Sequence, residues 1–257
     1  MKKILISLIL ITVTFGIYAQ EETEVLKNRK GIPIVPQAGT FAFGIDATPF
    51  FRYAGNLFSN NNPYYPSFGF TAQNPGAFFL KYKATNTITY RASVLIGVSN
   101  NTDKYENPAD PDQINKVTYT ALTVGLSGGI EKHLDFFGRL SGYFGAQAGI
   151  RQDPYYDNST GEYGLRSFKD GNDSNNDYKE AGGNTLSIYA GGFTGVELYI
   201  APRVALMGEL GYYLSYYTQM KRVYKPASGS DYVVDHGSGG FEFEPVPGGS
   251  LILLFYF

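Results

Sequence analysis

Two histidines, His133 and His236, are the side chains of this chain best suited to moving a proton near neutral pH. His236 stands in DYVVDHGSGG with Asp235 and Ser238 close by, the residue types of a base, an orienting acid and a nucleophile. Such a triad needs groups that converge from separate elements, and neighbours on one loop seldom supply it. His133 lies in EKHLDFF, read as a tight turn away from any loop-built site. The expectation is therefore a non-enzymatic chain, with a surface lipid- or peptide-modifying enzyme as an alternative. One spacing resembles a metal loop: Asp173-x-Asn175-x-Asp177 in KDGNDSNNDYKE offers the alternating oxygens of a calcium site. Tyr178 sits where such a loop needs Gly, and Glu180 comes too early to close it. Calcium is carried forward as a candidate there, and no other cofactor is expected.

A second set of charges is spread through apolar stretches. Asp46, Glu131, Glu197 and Glu209, with Lys81, Lys83, Arg91 and Arg139, each alternate with large apolar neighbours. Opposite charges held in a low-dielectric interior must pair, because an isolated one costs several kcal/mol, about 3–5 when a partner is lost. The expectation is a balanced charge network, with Arg139 reaching Glu131 across a turn. It serves either as a structural plug or as an ion path.

The elements that would carry these residues are strands. Period-two alternation recurs in eight stretches. In Thr87–Val98, Ile88, Tyr90, Val94, Ile96 and Val98 oppose Thr89, Arg91, Ser93 and Gly97. In Gly39–Phe51, Phe41, Phe43, Ile45 and Ala47 form the apolar row. Similar rows run through 76–84, 122–131, 139–150, 186–200, 206–215 and the C-terminal SLILLFYF. Short turns are expected at Ala84–Thr87, Lys132–Gly138 and Ala201–Arg203. Long loops are expected at Arg52–Pro75, Ser99–Lys116, Arg151–Asn184 and Thr218–Gly239. Loops of that length are uncommon in compact soluble domains, and here they alternate with short turns, so all fall at one end of an up-and-down sheet.

That asymmetry, with Gly 31, Tyr 22, Phe 19 and no Cys, points to an all-β, eight-stranded antiparallel transmembrane barrel with its apolar rows on lipid and its small and charged rows in the lumen. Tyr212, Tyr213, Tyr216 and Tyr217 would supply an interfacial girdle. A soluble lipocalin-like barrel is the alternative fold. Pro49, Pro245 and Pro247 are expected at strand ends or bulges.

The N-terminus adds location. Lys2 and Lys3, the apolar run from Ile4 to Tyr18, and Ala19-Gln20 read as a signal peptide over 1–19. Removing Lys2 and Lys3 from 21 basic residues leaves 19 against 23 acidic ones, which disfavours a nucleic-acid partner. Residues 20–38 read as a periplasmic strap and 39–257 as the barrel. GIEKHLDFFGRLSGYFG and GVELYIAPRVALMGELG align without a gap as a repeated hairpin, matching Glu131 with Glu197.

With GTFAFGIDATPFF opening the first strand and an aromatic strand ending in Phe, the chain resembles the small eight-stranded outer-membrane barrel superfamily that includes OmpA's barrel and OmpX, in a style similar to Bacteroidota proteins. The resemblance implies that Leu251, Leu253, Phe255 and Phe257 form a C-terminal assembly signal read by the barrel-insertion machinery. It implies integral residence in the bacterial outer membrane, against outer-membrane lipid. The expected role is structural or interactive, as a subunit of an envelope protein complex engaged through long loops such as the one carrying NNNPYYPS. A narrow channel for small or hydrophobic molecules is the alternative.

Overall fold

The computed structural model describes Lys27, Arg29, Gly31 and residues 33–47, 70–72, 75–108, 110–157 and 162–257; the side chains of 135–137, 157, 162 and 244–250 are outside that description. The expected signal peptide, the outer end of the first strand with Pro49, and most of the first long loop with NNNPYYPS lie outside the described residues.

The described chain is all-β, and none of its helices is long and apolar enough to cross a membrane. The strands are β1 (Phe41–Asp46), β2 (Gly76–Lys83), β3 (Ile88–Asn107), β4 (Asp110–Phe137), β5 (Leu140–Asp153), β6 (Tyr156–Asp157), β7 (Glu162–Tyr163), β8 (Leu165–Lys169), β9 (Tyr178–Gly182), β10 (Thr185–Ala201), β11 (Val204–Gln219), β12 (Arg222–Pro226), β13 (Tyr232–Asp235) and β14 (Gly239–Tyr256). All pairings are antiparallel. Eight strands run β4-β3-β2-β1-β14-β11-β10-β5, and β5 pairs back onto β4, which closes a ring. The C-terminal strand pairs with β1 on one side and β11 on the other.

Alternation gives the ring two faces. Outward rows carry exposed apolar residues, among them Leu80, Ile96, Leu126, Ile188 and Leu210. Inward rows carry Phe79, Lys81, Thr89, Arg91, Glu131, Tyr143, Phe193, Glu197, Met207, Ile252 and Leu254, all buried. Leu251, Leu253 and Phe255 lie on the outward row of β14, and Phe257 is exposed beyond it. Ala47, expected on the outward row, is buried where the chain leaves β1. The four tyrosines of the expected girdle divide by parity: Tyr212 and Tyr216 are exposed, whereas Tyr213 turns inward to accept a hydrogen bond from Gln147 Nε2 at 2.7 Å. Inward glycines make sockets for the large rings. A Cβ on Gly195 would overlap the Tyr143 hydroxyl, and one on Gly145 would overlap the Phe193 ring.

Both Pro245 and Pro247 lie within β14, not at its ends. Pairing with β11 jumps from Glu209↔Ser250 to Gly211↔Val246, so Pro247 falls in a bulge. Among the described residues the register of β1 on β14 runs to Asp46↔Ile252, short of Pro245.

Three of the expected loops contain strands. The β3–β4 hairpin continues to Asn107 and Asp110. Strands β8, β9, β12 and β13 pair in the order β4-β8-β9-β12-β13. They extend the wall beyond the ends of β5, β10, β11 and β14, and we call this extension the collar. Gly183 N–H to Lys221 O (3.1 Å), Met220 N–H to Asn184 O (2.9 Å) and Gln219 N–H to Ser238 O (2.7 Å) carry the ladder across the junction. Gly182, Gly183 and Gly237 adopt positive φ there, a left-handed backbone that Gly enters without a Cβ clash. At the opposite end, Ile34 of the expected strap is buried and joins the apolar cluster that includes Tyr256, Leu254 and Met207.

Candidate functional site

The best-defined constellation is the buried charge cluster inside the ring. Period-two geometry in each strand aims Lys81 (β2), Arg91 (β3), Glu131 and His133 (β4), Glu197 (β10) and Glu209 (β11) at the axis. Lys81 Nζ lies 2.8 Å from Glu131 Oε2 and 3.7 Å from Glu197 Oε2. Arg91 Nη1 lies 3.2 Å from Glu131 Oε1, and the same guanidinium forms a close pair with Glu209, its Nη2 donating to Oε1 at 3.3 Å. Ring order places β3 opposite β11 and β2 opposite β10. The Arg91–Glu209 and Lys81–Glu197 pairs therefore span the lumen wall to wall.

Aromatic rings seal the gaps. The Tyr256 hydroxyl donates to Glu197, and the Tyr143 hydroxyl lies 3.3 Å from Glu209 Oε2. The Arg91 guanidinium stacks over Phe193 at 4.4 Å, and Lys81 Nζ sits 5.1 Å from the Tyr143 ring centre. Glu131 and Glu197 are completely buried. Buried away from bulk solvent, each ion depends on its partners.

The expected network and the observed cluster share Lys81, Arg91, Glu131, Glu197 and Glu209. Lys83 is buried one inward position below Lys81, and Asp46 is half-buried on the inward row of β1. Arg139 does not reach Glu131: it is exposed in the Gly138–Arg139 turn, where Nη1 donates to Ile200 O at 3.4 Å. The cross-strand partner of Glu131 on β5 is Gly145, six residues further along the strand. His133 is also displaced from its expected place. β4 runs on to Phe137, which buries His133; its Nε2 lies 3.2 Å from Glu131 Oε2 and its Nδ1 3.3 Å from Ser141 Oγ. Its parity with Glu131 was the available signal, hidden by reading Lys132 as the start of a turn.

The loop candidates do not assemble as their spacing suggested. Asp235 Oδ1 accepts the Gly237 N–H at 2.9 Å, and Ser238 Oγ donates to Gln219 Oε1 at 3.1 Å. Neither is bonded to His236, which lines an open concavity of about 600 Å³ with Tyr216, Gln219 and Phe241. Asp173 caps a one-turn helix by accepting Asn175 N–H at 2.9 Å, and Asp177 Oδ1 accepts Asp170 N–H at 2.8 Å. The Asp173 and Asp177 side chains thus serve the backbone, and among the described residues no three His, Cys, Asp or Glu side chains converge as a metal site would require. The centre of that loop is Asp170, which sequence spacing did not mark. Its carboxylate accepts from Asn172 N, Asn176 Nδ2 and Asn107 Nδ2, and those bonds hold it below its ordinary pKa, the Asn172 N–H contributing most.

The collar's inward face continues the lumen row of β4, since Val117 opposite Phe168 is buried like Ala121 and Thr123. It carries a ladder of rings, Phe168–Tyr178–Tyr224–Tyr232, at centroid spacings of 5.5, 4.6 and 4.9 Å. Arg222 pairs with Glu180 at 3.4 Å beside it. Burial raises the pKa of Tyr178 and Tyr224 above that of an ordinary phenol. At the ring–collar junction Thr123 Oγ1 donates to Ala72 O at 2.9 Å, so the described end of the first long loop also lies over the lumen.

No protein-family model and no curated protein matches the chain. Among solved structures it is similar to a major outer membrane protein from Thermus thermophilus, at 14% identity and a TM-score of 0.37, covering 86% of this chain and 100% of that one.

Proposed function

We propose that this chain is an integral outer-membrane β-barrel with a closed lumen, acting as a non-enzymatic structural or interaction component of the envelope. The supporting observation is the double span of the lumen by Arg91–Glu209 and Lys81–Glu197. A small barrel has an interior that side chains fill, and here the filling is an ion-paired, ring-sealed layer. The membrane reading draws on the outward rows. Apolar residues cover the wall between exposed aromatics at the turn end, Phe41, Tyr82 and Tyr90, and at the collar end, Tyr212, Tyr216, Phe241 and Phe243. Two aromatic girdles around an apolar band are what a lipid bilayer selects. On this reading residues 1–19 export the chain, 20–38 strap the periplasmic end, and the final aromatic strand engages the insertion machinery.

With the lumen closed, contacts with other molecules fall to the rims and collar. Mild-detergent extraction of the native membrane, native electrophoresis and mass spectrometry of the band test the interaction role. Companions at a fixed ratio are expected. A band holding this chain alone contradicts the subunit reading.

A further inference from the structure

We propose that the outward face of the collar binds phosphorylated sugar headgroups of an outer-leaflet glycolipid through a row of lysines. The proposal rests on the membrane reading above. Lys104 of β3 stands opposite Lys116 of β4, Lys116 opposite Lys169 of β8, and Lys179 of β9 opposite Lys225 of β12. Lys169 and Lys179 are diagonal neighbours, because Ser167 is the residue paired with Lys179. All five are exposed. By parity on β4 they share the face of Leu122, Val124 and Leu126, which lower down is the apolar surface.

Like charges directly opposite on a sheet repel. Three such pairs occur here in a chain with net charge −2. Glu106, Asp112, Asp177 and Asp231 share this face, yet the Lys225–Asp231 contact at 3.9 Å is the only ion pair these lysines make among the described residues. On the inward face of the same strands Arg222 is matched by Glu180. Four of the five lysines thus make no ion pair among the described residues although acids share their face, which leaves their ammonium groups open to an anionic partner met from that side.

Height selects among anionic partners. Lys116 is six residues beyond Leu122, about 20 Å along the strand and about 15 Å along the axis at a tilt of roughly 40°. A phospholipid headgroup layer is about 5–8 Å deep, so the row stands above phospholipid phosphates and level with a sugar headgroup. Lysine, a compact hydrated charge, suits phosphate without demanding one geometry.

The test uses the full chain in phosphatidylcholine vesicles, titrated with rough lipopolysaccharide, with the same glycolipid after dephosphorylation, with phosphatidylglycerol and with inorganic phosphate. Wild type is compared with a K104Q/K116Q/K169Q/K179Q/K225Q variant and its all-arginine counterpart. Flotation with plain phosphatidylcholine is expected for every chain that folds. The glutamine variant should bind phosphorylated glycolipid about tenfold or more weakly, the arginine variant should recover, and dephosphorylation should lower wild-type affinity comparably. The proposal is overturned if the glutamine variant binds as wild type does, or if dephosphorylated glycolipid, phosphatidylglycerol or inorganic phosphate binds equally well. Should the glutamine variant not fold, the wild-type comparison of phosphorylated with dephosphorylated glycolipid decides alone. Failure of wild type to float with any vesicle overturns the membrane reading and, with it, this one.

Discussion

The lumen and the collar are joined through β4, which runs from one into the other, yet they treat charge in opposite ways. In the lumen Lys81 and Arg91 are buried and tied to Glu131, Glu197 and Glu209. On the collar's outward face Lys104, Lys116, Lys169, Lys179 and Lys225 stand exposed beside one another. The difference is dielectric. A buried ion without a partner costs several kcal/mol, about 3–5 when one member of a pair is removed, so lumen charges must close on each other. In water the same juxtaposition costs little, and the charges stay open to an external partner. On this account fold stability resides in the lumen, and the proposed surface recognition in the collar.

The largest expected effect comes from breaking the shared carboxylate. Glu131→Ala strips Lys81 and Arg91 of a common partner and should cost about 3–5 kcal/mol, read by urea unfolding of the vesicle-inserted chain. A loss under about 0.5 kcal/mol would mean that the cluster does not hold the ring. A smaller effect tests its packing. Gly195→Ala drives a Cβ into Tyr143 and Gly208 and should cost about 1–3 kcal/mol. Gly208→Ala, whose Cβ meets nothing nearer than 3.9 Å, should be close to neutral; equal losses at both would show that the sockets are not filled as described.

In the collar, Asp170 has a depressed pKa, so the stability it confers is present above its unfolded value of about 3.9 and is lost as pH falls through the lower folded value. Amide exchange at Asn172 and Asp173 should rise there in wild type but not in Asp170→Asn, and exchange independent of pH in wild type would remove Asp170 from that role. The smallest effect is expected from single Lys→Gln changes in the collar row, within about 0.5 kcal/mol in detergent. A larger loss would mean that the row belongs to the fold.

The same contrast marks what the sequence could disclose. Period-two alternation is enough to put Lys81, Arg91, Glu131, Glu197 and Glu209 on one set of rows, because each strand encodes its own parity. It cannot say that Arg91 meets Glu209 across the ring, since that depends on stagger and diameter, which no single strand carries. Reading a turn from Lys132 hid His133 and placed Arg139 inside; the strand instead runs on through Leu134 to Phe137. The collar was hidden for another reason. RVYKP and YVVD are short β-prone runs whose partners are other loops, and Gly182, Gly183 and Gly237 read as loop residues although they join one strand to the next. The spacing of Asp173, Asn175 and Asp177 suggested ligands, and in the structure the Asp173 and Asp177 carboxylates accept from backbone N–H groups of their own loop.

The closed lumen is tested most directly by planar-bilayer recording of the purified, inserted protein. Wild type is expected to give no stepwise conductance above the bare membrane, and Glu131→Ala is expected to leak if it remains inserted. Steady unitary openings in wild type would contradict the closed lumen, because Arg91–Glu209 and Lys81–Glu197 could not then bridge opposite walls.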